Sequence, residues 1–187
     1  MFSHILLFLF NVVFSALGIL LIARAWIFAI RLHPFNPYSQ AILRATDWLV
    51  HPIRKVLPPG NRIEWSSLVA GWLVALVYLL LTWAVLVQQL PPVAMLPPAL
   101  IAAVLTLAKW AFNVVLWATL IQALLSWVNP MAPVMPFLQT FTAPLLNPIR
   151  RILPNLGGFD LSPLVLLILA QIAIMLLQSL SFSLFGV

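Results

Sequence analysis

Four apolar stretches, each long enough to cross a lipid bilayer, leave this chain few folds to choose from. The first runs from about Ile5 to Ile30 and is broken only by Asn11, Ser15 and Arg24. The second runs from about Ser67 to Val87, the third from about Ala99 to Val128 with Lys109, Asn113 and Gln122 inside it, and the fourth from about Leu161 to Leu184. About 20 apolar residues cover the roughly 30 Å of hydrocarbon in a bilayer. A backbone without water must satisfy its own N–H and C=O groups, so each stretch is predicted to be a helix. The first and third are longer than needed, and either tilt or emergence from the bilayer absorbs the excess. Charge agrees with this reading. Only 6% of the residues are charged and 64% are hydrophobic, whereas a soluble domain carries about 25% charged residues to wet its surface. The expected fold is an all-α membrane protein with four transmembrane helices. Met1-Phe2-Ser3-His4 lacks the basic start of a signal peptide, and Ala23-Arg24-Ala25 mimics a cleavage site weakly. The first stretch is therefore read as a retained membrane helix.

The connections between paired spans, Arg31 to Ser66 and Asn129 to Asp160, are rich in proline and carry helical periodicity of their own. Tyr38, Ala41, Ile42, Ala45 and Leu49 form an apolar stripe, with Gln40, Arg44, Asp47 and His51 mostly on the other side. Val134, Phe137, Leu138, Phe141 and Leu145 repeat it. Such a stripe fits a short amphipathic helix lying in the headgroup region or one packed against the bundle.

The two connections are copies of each other. At an offset of 96 residues, Pro34 meets Pro130, Pro37 meets Pro133, Thr46 meets Thr142 and Leu49 meets Leu145. Pro52-Ile53-Arg54-Lys55-Val56-Leu57-Pro58 then meets Pro148-Ile149-Arg150-Arg151-Ile152-Leu153-Pro154. Glu64, Ser66 and Leu68-Val69 follow against Asp160, Ser162 and Leu164-Val165. Over Arg31 to Ala70 there are 12 identities in 40 gapless positions, which marks a direct internal repeat. The expected units are residues 1–92 and 93–187, each with two spans. An even number of spans returns the chain to its starting side, so the units are parallel, not inverted. Arg31, Arg44, Arg54, Lys55 and Arg62 lie in the first connection, Arg150 and Arg151 in the second, and Gln88 to Pro98 holds no basic residue. The positive-inside rule places both connections in the cytoplasm and both termini outside.

Several residues are candidates for function, each beside a structural alternative. The repeated basic pairs, Arg54-Lys55 and Arg150-Arg151, fit contact with anionic lipid or a partner protein, or a topology signal and helix anchor. The prolines flanking each pair, Pro52 and Pro58 or Pro148 and Pro154, are expected to bracket a short independent segment. Glu64 and Asp160 open the last span of each unit, where an acid suits the helix dipole. Each is also placed to pair with Arg54 or Arg150. Ser66 and Ser162 are expected to cap these helices. Arg24 and Lys109 are charges within apolar stretches. Arg24 can snorkel toward the face of Arg31, about 10 Å along a helix, or pair inside the bundle with Glu64 or Asp160. Lys109 is mid-membrane or interfacial depending on where its helix starts. Gln171 and Gln178 share a helix face and can bond across helices.

Catalytic chemistry finds little support. His4, His33 and His51 show no metal-ligand spacing, three carboxylates and no cysteine leave few reactive groups, and Gly157-Gly158 reads as a turn rather than a phosphate loop. No cofactor, metal or nucleic-acid partner is expected.

Pro-Ile-Arg-Arg-Ile-Leu-Pro followed by Gly-Gly-Phe-Asp-Leu-Ser-Pro, with Leu125-Ser126-Trp127-Val128-Asn129-Pro130 before them, resembles the YggT (YlmG) family. Arg24-Ala25-Trp26 and Asn36-Pro37-Tyr38-Ser39-Gln40 of the first copy resemble it too, so that the likeness covers nearly the whole chain. The first copy departs from the second in lacking the glycine pair, with Glu64 for Asp160 and Ser67 for Pro163. The resemblance implies a bacterial inner-membrane protein with plastid relatives, linked to osmotic or envelope stress, division-gene clusters, and in plastids to cytochrome assembly and nucleoid distribution. It brings no agreed biochemical activity. The expected function is a non-enzymatic scaffold or assembly factor that meets anionic lipid and a membrane or cytoplasmic protein through its basic connections. The alternative is a small channel or transporter subunit that works as a homo-oligomer.

Overall fold

The computed structural model describes residues 2–32, 36–61, 63–153 and 160–186. His33, Pro34, Arg62, Pro154 and Gly157-Gly158 lie outside the described residues. Six α-helices follow in the order α1 (Phe2–Ala29), α2 (Pro37–Val56), α3 (Trp65–Val87), α4 (Leu96–Val128), α5 (Met135–Ile152) and α6 (Ser162–Phe185), with a 3₁₀ turn at Val93–Met95 leading into α4. Among the described residues there is no strand. α1, α3, α4 and α6 are long and apolar enough to cross a membrane. Their bounds fall within a few residues of those the hydropathy pattern gives. The long-short-long order of helices occurs twice along the chain.

Tight approaches hold the long helices together. α1 lies against α3 and α4, α3 against α4, and α4 against α6. Trp110 of α4 is buried and lies flat over Gly18 of α1, where a Cβ would stand 2.0 Å from the indole. Gly71 of α3 faces Leu107 of α4 in the same way, with 2.7 Å left for a Cβ. Without a hydrophobic drive between helices in lipid, such small-residue contacts supply the van der Waals packing. Leu21, Ala70, Ala75, Ala102, Ala103 and Trp110 are buried in this first cluster.

A second cluster ties the short helices to the long ones. Phe137, Leu138 and Phe141 of α5 are buried with Ala23 and Ile27 of α1 and Val114 of α4. Tyr38 of α2 stacks near Phe137 at 5.5 Å between ring centres. Trp26 Nε1 donates to the Phe141 carbonyl at 2.9 Å, joining α1 to α5. The apolar stripe of α5 thus faces the bundle rather than lying free.

α2 and α5 run through Pro52 and Pro148, the first proline of each expected bracket, and α2 ends before Pro58. Pro52 sits inside α2 and Pro144 and Pro148 inside α5, so Ile53-Arg54-Lys55 and Ile149-Arg150-Arg151 belong to the last turns of their helices. The helix tolerates proline here for a local reason. The carbonyls left without a donor, those of Trp48, Thr140 and Pro144, belong to exposed residues and need no partner from the protein. α2 starts cleanly: Asn36 accepts from the Tyr38 N–H at 3.0 Å and Pro37 takes the first helical position.

Candidate functional site

Buried charge in the first half of the chain gathers on Glu64, at the entry to α3. Arg24 of α1 donates from Nε to Glu64 Oε2 at 3.2 Å, with both side chains buried. Its Nη1 donates to Asp47 Oδ1 at 2.7 Å and to Thr46 Oγ1 at 3.0 Å, both on α2. Arg54 at the end of α2 pairs with Glu64 from the other side. The Ser67 hydroxyl donates to Glu64 Oε2 at 2.8 Å. One arginine therefore bolts three helices together. The cluster is physically coherent because each buried charge has an opposite charge and further hydrogen bonds. Arg24 takes Glu64, not Asp160, as its acid.

The second half repeats the geometry with different chemistry. Arg150 Nε donates to Asp160 Oδ2 at 2.8 Å, as Arg54 pairs with Glu64. Here both partners are exposed, Asp160 to 39% against 1% for Glu64. The position equivalent to Arg24 is Leu120, so no buried cation reaches Asp160 from α4. Thr142 of α5 instead donates its hydroxyl to Gln122 Oε1 of α4, whereas the Thr46 hydroxyl accepts from Arg24. A cavity stands beside each acid. The first holds about 450 Å³ and is lined by Arg24, Arg31, Arg54 and Glu64 among others. The second holds about 590 Å³, and Leu120, Trp127, Arg150 and Asp160 stand at the corresponding places.

The surroundings of Asp160 shift its ionisation. Partial burial alone raises its carboxyl, but hydrogen bonds from the Ser162 hydroxyl and N–H and the charge and hydrogen bond of Arg150 outweigh that and hold it below the ordinary range.

The serines expected as caps do not cap. Glu64 and Leu161 occupy the N-cap positions of α3 and α6, with no side-chain cap on either helix. Ser66 is the second residue of α3, its buried hydroxyl without a partner among the described residues. Ser162 is the first residue of α6 and donates its N–H to Asp160 Oδ1 at 3.0 Å. At α6 the Asp160 carboxylate, a better acceptor than a hydroxyl, takes one orphan donor of the helix start, whereas the Glu64 carboxylate is held by Arg24, Arg54 and the Ser67 hydroxyl.

Lys55 and Arg151 are exposed beside Arg54 and Arg150. Lys109 is away from all of these, on α4. That helix begins at Leu96, so Lys109 lies about 20 Å along it at about 1.5 Å per residue. Gln171 and Gln178 make no hydrogen bond among the described residues. Sequence reasoning placed Asp47 on a polar face and gave Gln122 no role. The identity of Thr46 and Thr142 across the repeat was the signal that marked both neighbourhoods.

The fold and these sites define a small all-helical, membrane-type protein with four membrane-length helices. The CCB3/YggT family model matches residues 3–85 and 101–181, and the chain belongs to that family. It is 32% identical over 167 residues to an uncharacterized protein in the proC 3′ region of Vibrio alginolyticus, covering 89% of each chain. It is 31% identical over 168 residues to the uncharacterized protein YggT of Escherichia coli, covering 89% of this chain and 86% of that one. An uncharacterized protein of Haemophilus influenzae is 30% identical over 151 residues, or 80% of this chain and 78% of its own. No solved structure matches.

Proposed function

We propose that the chain is a non-enzymatic scaffold or assembly factor of the bacterial inner membrane, acting in stress response through the basic ends of α2 and α5. One repeated surface carries this reading. Arg54-Lys55 and Arg150-Arg151 close the two helices, and the residue after each pair, Val56 and Ile152, leaves 81% and 84% of its surface uncovered. A basic pair beside a bare aliphatic residue suits the boundary between headgroups and acyl chains, where the charge meets phosphate and the aliphatic residue meets hydrocarbon. Exposed Trp48, Trp65 and Trp127 nearby fit the same depth.

In this reading the chain is two parallel units, residues 1–92 and 93–187, with the amphipathic helices at the cytoplasmic face and both termini outside. The 96-residue offset and the basic bias of the connections support it, as does the fall of the two family-matched stretches one in each unit. The acids hold Arg54 and Arg150 by ion pairs, which orients the helix ends and presents Lys55 and Arg151 to anionic lipid and to a membrane or cytoplasmic protein. The test replaces Arg54, Lys55, Arg150 and Arg151 with Gln and compares the lipids and proteins crosslinked in native membranes. The reading predicts that capture is lost. Undiminished capture rejects it.

A second reading, a small oligomeric channel or transporter subunit, draws on the polar cavity around Lys109. Four helices enclose little pore alone, so it requires several copies. Exposed Ile168, Ile172, Met175 and Leu176 on α6 leave a face for one. Its test is ion flux in liposomes that falls with Lys109→Ala, and absence of flux under any gradient rejects it.

A further inference from the structure

We infer that Lys109 heads a binding site for an anionic oxygen group, a phosphate or carboxylate, in the half of the bundle away from the basic segments. Three observations meet there. First, a cavity of about 360 Å³ opens between α1, α3, α4 and α6, and Lys109 lines it together with Asn11, Tyr78, Thr106, Gln178 and Ser181. That volume falls within the roughly 300–1,000 Å³ typical of small-molecule pockets. Second, the Lys109 ammonium makes no hydrogen bond or ion pair among the described residues, although the side chain is only partly exposed. Third, no acidic side chain of the protein remains to neutralise it. The chain has three, Asp47, Glu64 and Asp160, and all are paired to arginines at the other end of the helices. Tyr78, on the wall of the cavity, is about 21 Å along α3 from Glu64 at about 1.5 Å per residue.

A cation held between membrane-length helices is expensive unless an opposite charge joins it. Since the chain's own carboxylate side chains are engaged elsewhere, the counter-charge comes from outside. The lining is suited to receive it. An ammonium offers three donors, and the hydroxyls and amides around it add more, which together match the several acceptor oxygens of a phosphate or carboxylate. Leu79, Leu105, Leu177 and Phe182 form the apolar part of the wall, so an acyl chain attached to the group would find apolar neighbours. The two sources of such a group are the headgroup of an anionic lipid and a free oxyanion. The site rests on neither functional reading above, because it is remote from the basic helix ends and requires no path through the membrane.

The chain holds only two lysines, and this makes the test direct. Lys55 is exposed at the far end of the molecule and serves as an internal reference. The full chain in nanodiscs of phosphatidylcholine is treated with an amine-reactive label, and the modification rates of Lys109 and Lys55 are followed by peptide mass spectrometry. Inorganic phosphate is then added, or phosphatidylglycerol replaces part of the phosphatidylcholine. The inference expects Lys109 to be slowed several-fold by at least one anion. Slowing by phosphate, with Lys55 unchanged, assigns a free oxyanion; slowing by phosphatidylglycerol alone assigns a lipid headgroup. Equal Lys109 rates in all three conditions overturn the site. A second readout guards against protection from a distance. The protecting anion raises the thermal midpoint of the wild-type chain and of Lys109→Arg, but not of Lys109→Gln. The same rise in Lys109→Gln places the anion elsewhere and also overturns it.

Discussion

Arg24 Nε lies 3.2 Å from Glu64 Oε2, and both side chains are sealed inside the protein although forty residues separate them. The contact closes α1 on the start of α3, and Asp47 and Thr46 add α2 to the same guanidinium. Removing one partner of a buried pair leaves the other charge desolvated, which costs about 3–5 kcal/mol. Glu64→Gln is therefore expected to lower stability by about 3 kcal/mol, near the low end because Asp47 still faces Arg24. Arg24→Met combined with Glu64→Gln is expected to cost less than either change alone, since no uncompensated charge stays buried. Thermal or denaturant unfolding of the three variants in one detergent checks this.

Asp160→Asn offers the contrast. Its pair with Arg150 is the counterpart of Arg54 with Glu64, but both side chains are exposed. A surface pair contributes about 0–1 kcal/mol, and a loss in that range is expected in the same unfolding assay. A loss as large as that of Glu64→Gln would show that the two halves are held alike.

The Asp160 contribution also has a defined pH sign. Its folded carboxyl lies below the ordinary range, so the stabilisation is complete above the unfolded value of about 3.9 and is lost as pH falls through the lower, folded value. The stabilisation of the wild-type chain by this pair is thus expected to stay constant from neutral pH to about pH 5 and to be lost only in stronger acid. The difference between wild type and Asp160→Asn, measured from neutral pH into strong acid, is expected to shrink only below about pH 4.

Gly18 is a packing requirement. A methyl group there would stand 2.0 Å from the buried Trp110 ring, and a sealed indole has nowhere to move. Gly18→Ala is expected to destabilise by about 1–3 kcal/mol or more through overpacking, with Trp110→Leu in the same chain recovering part of the loss. Unfolding midpoints and the tryptophan emission spectrum check both.

How far the sequence reached depended on the kind of signal each residue left. The long helices were legible because lipid demands an unbroken apolar run, a property of consecutive residues. The pairing of Arg54 with Glu64 and Arg150 with Asp160 was within reach because the partners are ten residues apart in both copies of the connection. Asp47 was not legible as a partner of Arg24. It lies on the polar side of α2 by periodicity, and only the packing of α1 against α2 brings the guanidinium to its edge. The prolines misled for the opposite reason. Their local preference against a helix is real, but Trp48 and Pro144 are exposed, so the lost hydrogen bonds cost little at those turns. The caps were missed because the Asp160 carboxylate takes the Ser162 N–H at the start of α6, and because α3 starts at Trp65, which puts Ser66 inside the helix.

The central claim is that the basic ends of α2 and α5 are the working surface. Hydrogen exchange of the backbone from Ile53 to Leu57 and from Ile149 to Leu153, compared between native membranes and nanodiscs of phosphatidylcholine, tests it most directly. The account predicts slower exchange of both segments in native membranes and loss of that protection when Arg54, Lys55, Arg150 and Arg151 are replaced by Gln. Equal exchange in the two membranes, or protection that survives the four substitutions, would contradict it.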